Sequence, residues 1–136
     1  MYVASLNDGN DSLSHRFTCQ DNKNVDLAYF KVSSIVGTSP TYKIGIQTDD
    51  GNGSPSGAWL GSTWALLTPT SAGWKGLNYG SPPAMTKGDI YHFVIEYSSG
   101  TIDASNYIKI LFSSPGNDVA PYNNTDDDNI GVLFNA

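Results

Sequence analysis

The side chains able to do chemistry fall into two acidic turns and one aromatic set. Asp49, Asp50 and Asn52 lie in the run Asp49-Asp50-Gly51-Asn52-Gly53-Ser54-Pro55-Ser56-Gly57. Several clustered oxygens, with backbone carbonyls between them, are the donor set a hard cation such as Ca²⁺ requires. The spacing is not that of an EF-hand, whose register and distal Glu are missing. The same residues also serve plain turn chemistry, because Gly, Asn and Asp are the types that left-handed backbone positions demand. A second cluster, Asn123 to Asn129, holds Asp126, Asp127 and Asp128 in a row. Three consecutive carboxylates repel one another unless water solvates them or a cation bridges them, and Asp126 and Asp128 are the candidate ligands in the second case. Asn10-Asp11-Ser12 and Asn123-Asn124-Thr125 also match the glycosylation triplet.

Trp59, Trp64, Trp74, Tyr42, Tyr79 and Tyr122 are the candidates for a sugar platform. Flat aromatic rings stack on the C–H faces of sugars, while Asn, Asp and Gln bond to hydroxyls. The competing account is that large aromatics fill the core. Trp74, in an alternating strand, reads as core. Trp59, directly after a Gly-rich turn, is the better candidate for exposure. The expected ligand-binding set is therefore Trp59, Trp64 and Tyr79 with Asp49, Asp50 and Asn52.

Catalytic constellations are thin. A glycosidase needs two carboxylates across a cleft, and the one glutamate, Glu96, reads as part of a solvated strand face. No G-x-S-x-G elbow, HExxH, P-loop or paired-Cys motif occurs. The lone Cys19 reads as a small buried strand residue. His15, on the apolar face of its strand, is expected at a sheet edge or mouth. No enzyme is expected.

Composition sets the class. Charged residues make up only 15% of the 136, and one arginine and six lysines face 13 acids for a formal charge of -6. Nucleic acid is excluded as a partner, since phosphate neutralisation needs clustered cations. An anionic membrane is disfavoured for the same reason. No apolar run approaches a membrane span, and the polar start MYVASLNDGND is no signal peptide. The apolar end Leu133-Phe134-Asn135-Ala136 reads as the cut edge of a longer protein.

These residues must be positioned by short strands. Alternation over 12–19, 41–48, 74–79 and 90–97 has the period of two that marks a β-strand. Tyr91, Phe93, Ile95 and Tyr97 are expected inward, with Ile90, His92, Val94 and Glu96 outward. Segment 25–36 carries apolar residues on both faces, as a central strand or one shifted by a bulge does. Further strands are expected near 1–6, 106–113 and 130–135, with a long polar loop over 114–129. No stretch holds a helical period, so the fold class is all-β: one domain forming an antiparallel two-sheet sandwich, in jelly-roll form.

The order of motifs resembles the jelly-roll modules, similar to carbohydrate-binding modules, of prokaryotic surface proteins and phage tail or adhesin proteins. The residues that carry it are Ile46-Gln47-Thr48-Asp49-Asp50-Gly51, Pro55-Ser56-Gly57, Leu60-Gly61-Ser62, Gly73-Trp74, Pro83-Ala84-Met85, Lys87-Gly88 and Ile90 to Ile95. The likeness covers roughly residues 13 to 113 and leaves the tail uncovered. It implies a sandwich exposed outside the cell or on a virion, without catalytic residues, that binds glycan or another cell-surface ligand. The alternative is a stalk, fibre or spacer domain that only assembles, with a homo-oligomer as its expected form.

Overall fold

The computed structural model describes residues 2–9, 12–19, 21–112, 122–124 and 130–134. Twelve strands account for most of them: β1 Tyr2–Leu6, β2 Ser12–Cys19, β3 Lys23–Val36, β4 Thr41–Asp49, β5 Pro55–Trp59, β6 Ala65–Leu67, β7 Gly73–Asn78, β8 Ala84–Met85, β9 Ile90–Ser99, β10 Tyr107–Phe112, β11 Tyr122–Asn124 and β12 Ile130–Phe134. A 3-10 turn, Leu60–Ser62, separates β5 from β6. Every strand pairing is antiparallel.

Two sheets form. In the first, pairings run β1–β10–β3–β7, with β12 and β8 also on β3. In the second they run β11–β2–β9–β4–β5, with β6 also on β4. Successive strands β1 to β4 alternate between sheets, as do β7, β9 and β10. This is the double Greek-key order of a jelly roll.

The core lies between the sheets. Val25, Ala28, Phe30, Val32, Ile108 and Ile110 face Phe17, Tyr42, Ile44, Ile46, Phe93 and Ile95, all fully buried. Phe30 meets Phe93 edge-on across the gap, with centroids 6.0 Å apart. Side chains of this size contribute about 1.5–3 kcal/mol each on burial. Two tyrosines bring hydroxyls into this layer and satisfy them on backbone. Tyr42 donates to the Leu6 carbonyl at 3.0 Å, and Tyr79 accepts from the Ile46 N–H at 3.2 Å. Burial pushes the Tyr79 hydroxyl pKa up.

The 14-residue β3 explains its own ambiguous pattern. Its partner register skips Asp26 opposite β12 and Ser33 opposite β10. Each skipped residue is a bulge that resets the alternation. Val25, then Ala28, Phe30 and Val32, then Ile35 therefore all reach the core side.

Several expectations change. His15 is 2% exposed and pairs with Phe93 of β9, so it is a buried residue; β11 joins β2 only at Phe17–Cys19. A three-residue strand, β11, interrupts the segment expected as loop, and Pro55–Gly57 belong to β5 instead of the turn. His92 and Val94 do face outward but are buried, His92 for a reason that lies in the turn bonded to it.

Candidate functional site

The turn after β4 folds back over the outer face of the second sheet. Asp49 starts it: one carboxylate oxygen accepts from the N–H groups of Gly51 (2.8 Å) and Gly53 (3.2 Å). Asp50 repeats the device two residues apart, accepting from Asn52 (2.6 Å) and Ser54 (3.2 Å). The returning β5 is tied down by Gly57, whose N–H donates to the Gln47 side chain at 2.9 Å. The Arg16 guanidinium lies against Gly53. His92, directly between Arg16 and Gln47 in the register, is sealed beneath.

The second Asp49 oxygen accepts from His92 Nε2 at 2.7 Å. A carboxylate only accepts, so Nε2 carries the ring proton. That bond first, and the two backbone N–H groups after it, hold the Asp49 carboxyl below the usual carboxylate range. Nδ1 of His92 is buried without a hydrogen-bond partner. A His–Asp pair serves as a general base only where its other nitrogen reaches a reacting group, and here that nitrogen faces protein.

Asp49 and Asp50 therefore act as turn staples, and Asn52 contributes its backbone N–H. Among the described residues no three His, Cys, Asp or Glu side chains converge as a metal site. Asp126 and Asp128 lie outside the described residues.

Further along this face, the Trp59 indole lies on Gly45, where a Cβ would stand 2.9 Å from the ring. Lys43 puts its ammonium 5.1 Å from the Trp59 ring and 4.1 Å from the Trp64 ring. Trp59 is half-buried, and Trp64 stays 44% exposed beside Leu66. Tyr79, expected with them, is 2% exposed in the core and reaches no surface, because its strand alternation turns it inward with Leu77. The expected ligand set thus divides into turn staples, a tryptophan pair on one face and a core tyrosine.

The first sheet holds what the sequence reading missed. Trp74 is 48% exposed and points away from the core. Tyr29 meets it edge-on, with centroids 4.9 Å apart. Lys31, directly opposite Trp74 in the register, places its ammonium 5.6 Å over the indole. Gly76 lies opposite Tyr29, and a Cβ there would stand 2.4 Å from the Ala28 carbonyl oxygen and 2.9 Å from Tyr29 Cβ. Gly131 of β12 flanks Tyr29 on its other side. The register neighbours of Tyr29 on both strands are thus glycines. Leu27 and Asn78 form the next row, and the shallow, open groove measures about 520 Å³.

From Lys31 and Trp74 to Leu27 and Asn78 is four residues along β3, about 13 Å at strand spacing. Such a length exceeds one sugar ring. Trp74, Gly76 and Asn78 alternate with Leu77 on β7, so a shared face for them was legible; which of the two faces looked outward was not. Tyr29 and Lys31 were hidden by the bulge at Asp26, which shifts the alternation of β3.

No family model, curated protein or solved structure matches the chain.

Proposed function

We propose that this chain is a non-catalytic, extracellular glycan-binding module that holds an oligosaccharide along the Trp74–Tyr29 groove. The observation that carries this reading is a half-exposed tryptophan set edge-on to a tyrosine above glycines, on an otherwise finished sheet face. Large aromatics grouped in the open mark ligand grooves or protein contacts. Trp74 offers a ring face for stacking, and Asn78 offers an amide for hydroxyls at the far end. The sealed ring nitrogen of His92 supports the non-catalytic part, and the rigid sheet supplies a platform formed before binding.

The test is calorimetry or affinity electrophoresis against a panel of soluble polysaccharides. Trp74→Ala is expected to weaken binding by about 2 kcal/mol, roughly thirtyfold, as loss of a central aromatic anchor does. Wild-type protein that binds no glycan would instead favour a spacer domain.

A further inference from the structure

We infer that the glycan held by this groove is anionic, with an acidic group of the sugar seated at Lys31. The inference rests on the glycan-binding reading and specifies its ligand class. The chain is acidic overall, with 13 carboxylate residues against seven lysines and arginines. No lysine pairs with a carboxylate among the described residues, and Lys31 is the one set over Trp74. Among the described residues no carboxylate lies within ion-pair distance of Lys31. Its ammonium leans over the Trp74 ring, and the residue as a whole is half-buried. A sugar stacked on Trp74 would carry its substituents past that ammonium, since the two residues are direct cross-strand partners.

The groove lining points the same way. It comprises Leu27, Tyr29, Trp74, Lys75, Gly76 and Asn78, and none of these is acidic. Lys75 adds a second cation, bonded to the Ser71 hydroxyl at 3.0 Å and not to a carboxylate. The depression between Thr48–Gly51 and Gly88–Tyr91 is the reverse: Asp49 and Asp89 line it without any cation. Lys43 is spent differently, its ammonium held between two indoles. Lys31 stands outside the groove lining, but its place over the Trp74 ring puts its charge beside a ligand stacked there. An ammonium is a point charge without the planar fork of arginine, so carboxylated and sulfated sugars fit it alike.

The experiment is a glycan array holding neutral, uronate-bearing and sulfated glycans. It is probed with wild-type protein, Lys31→Met and Trp74→Ala, with each hit remeasured at low and at 0.5 M salt, roughly a Debye length of 4 Å. The expected result is binding to acidic glycans that salt weakens and that Lys31→Met lowers roughly tenfold. The uronate and sulfate arms then tell which acid is preferred. Hits confined to neutral glycans, or acidic hits that Lys31→Met leaves unchanged, overturn the inference while the glycan-binding reading stands. Acidic hits that weaken with Lys31→Met but not with Trp74→Ala uphold the charge contact and refute the stacking platform. An array without hits refutes both. Thermal melting of each variant separates loss of contact from loss of fold.

Discussion

On the outer face of the second sheet, Trp59 lies on Gly45 and Lys43 is held between Trp59 and Trp64. On the outer face of the first, Trp74 stands edge-on to Tyr29 beside Gly76, with Lys31 over the ring. Both faces use tryptophan, lysine and a glycine whose missing side chain makes room for a ring. The difference is what comes next in the chain. After β4 the five residues 50–54 and then β5 fold back on the same face, so Trp59 is used as cover there while Trp64 stays 44% exposed. Before β7 the chain arrives from the other sheet, and nothing described returns over Trp74. Aromatic residues used as cover contribute stability; those left open are available to a ligand.

That contrast can be broken by substitution. The largest effect is expected at Trp59. Trp59→Ala should destabilise the fold by about 3 kcal/mol, because it removes a large ring packed on the sheet. Trp74→Ala should stay within about 0.5 kcal/mol of wild type, as surface substitutions do. Urea unfolding of the two variants side by side checks this, and equal losses would erase the distinction.

Next come the glycines. Gly76→Ala should cost about 2 kcal/mol, since the added methyl meets the Ala28 carbonyl oxygen, part of the backbone. Gly45→Ala should cost about 1 kcal/mol, because the Trp59 ring it meets is a side chain that can move aside. Thermal melts would show the order, and a costlier Gly45→Ala would mean that Trp59 is more firmly fixed than its half-buried state implies.

The smallest effect concerns acid. The folded Asp49 carboxyl lies below its unfolded value, through its bond from His92 and its two N–H donors. Its stabilisation is present above the unfolded pKa of about 3.9 and is lost as pH falls through the lower folded value. Asp49→Asn should lower stability at neutral pH and flatten the acid limb of the stability curve below about pH 4. An acid limb as steep as that of wild type would assign acid sensitivity to other carboxylates.

Much of the architecture was legible in the residues. Clean alternation over β4 and β9 gave the core positions Tyr42, Ile44, Ile46, Phe93 and Ile95, because one buried face forces a period of two. The doubled apolar pattern of β3 left a central strand or a bulge open, and β3 is both: paired on two sides and bulged twice. The candidate site was less legible for a physical reason. Alternation says which residues share a face, but not whether another segment covers that face. His92 was correctly placed outward yet is sealed by the turn. Trp74 was grouped with Gly76 and Asn78 but assigned to the core. Covering is a long-range event, fixed here by Gln47 reaching Gly57 and by Arg16 reaching Gly53, and no local pattern encodes it.

The most direct measurement is hydroxyl-radical footprinting of the protein, free and saturated with the tightest glycan from the panel. Trp74 and Tyr29 should be labelled in the free protein and protected in the complex, with labelling of Trp59 and Trp64 unchanged. Protection at Trp59 and Trp64 instead, with Trp74 still reactive, would contradict the account.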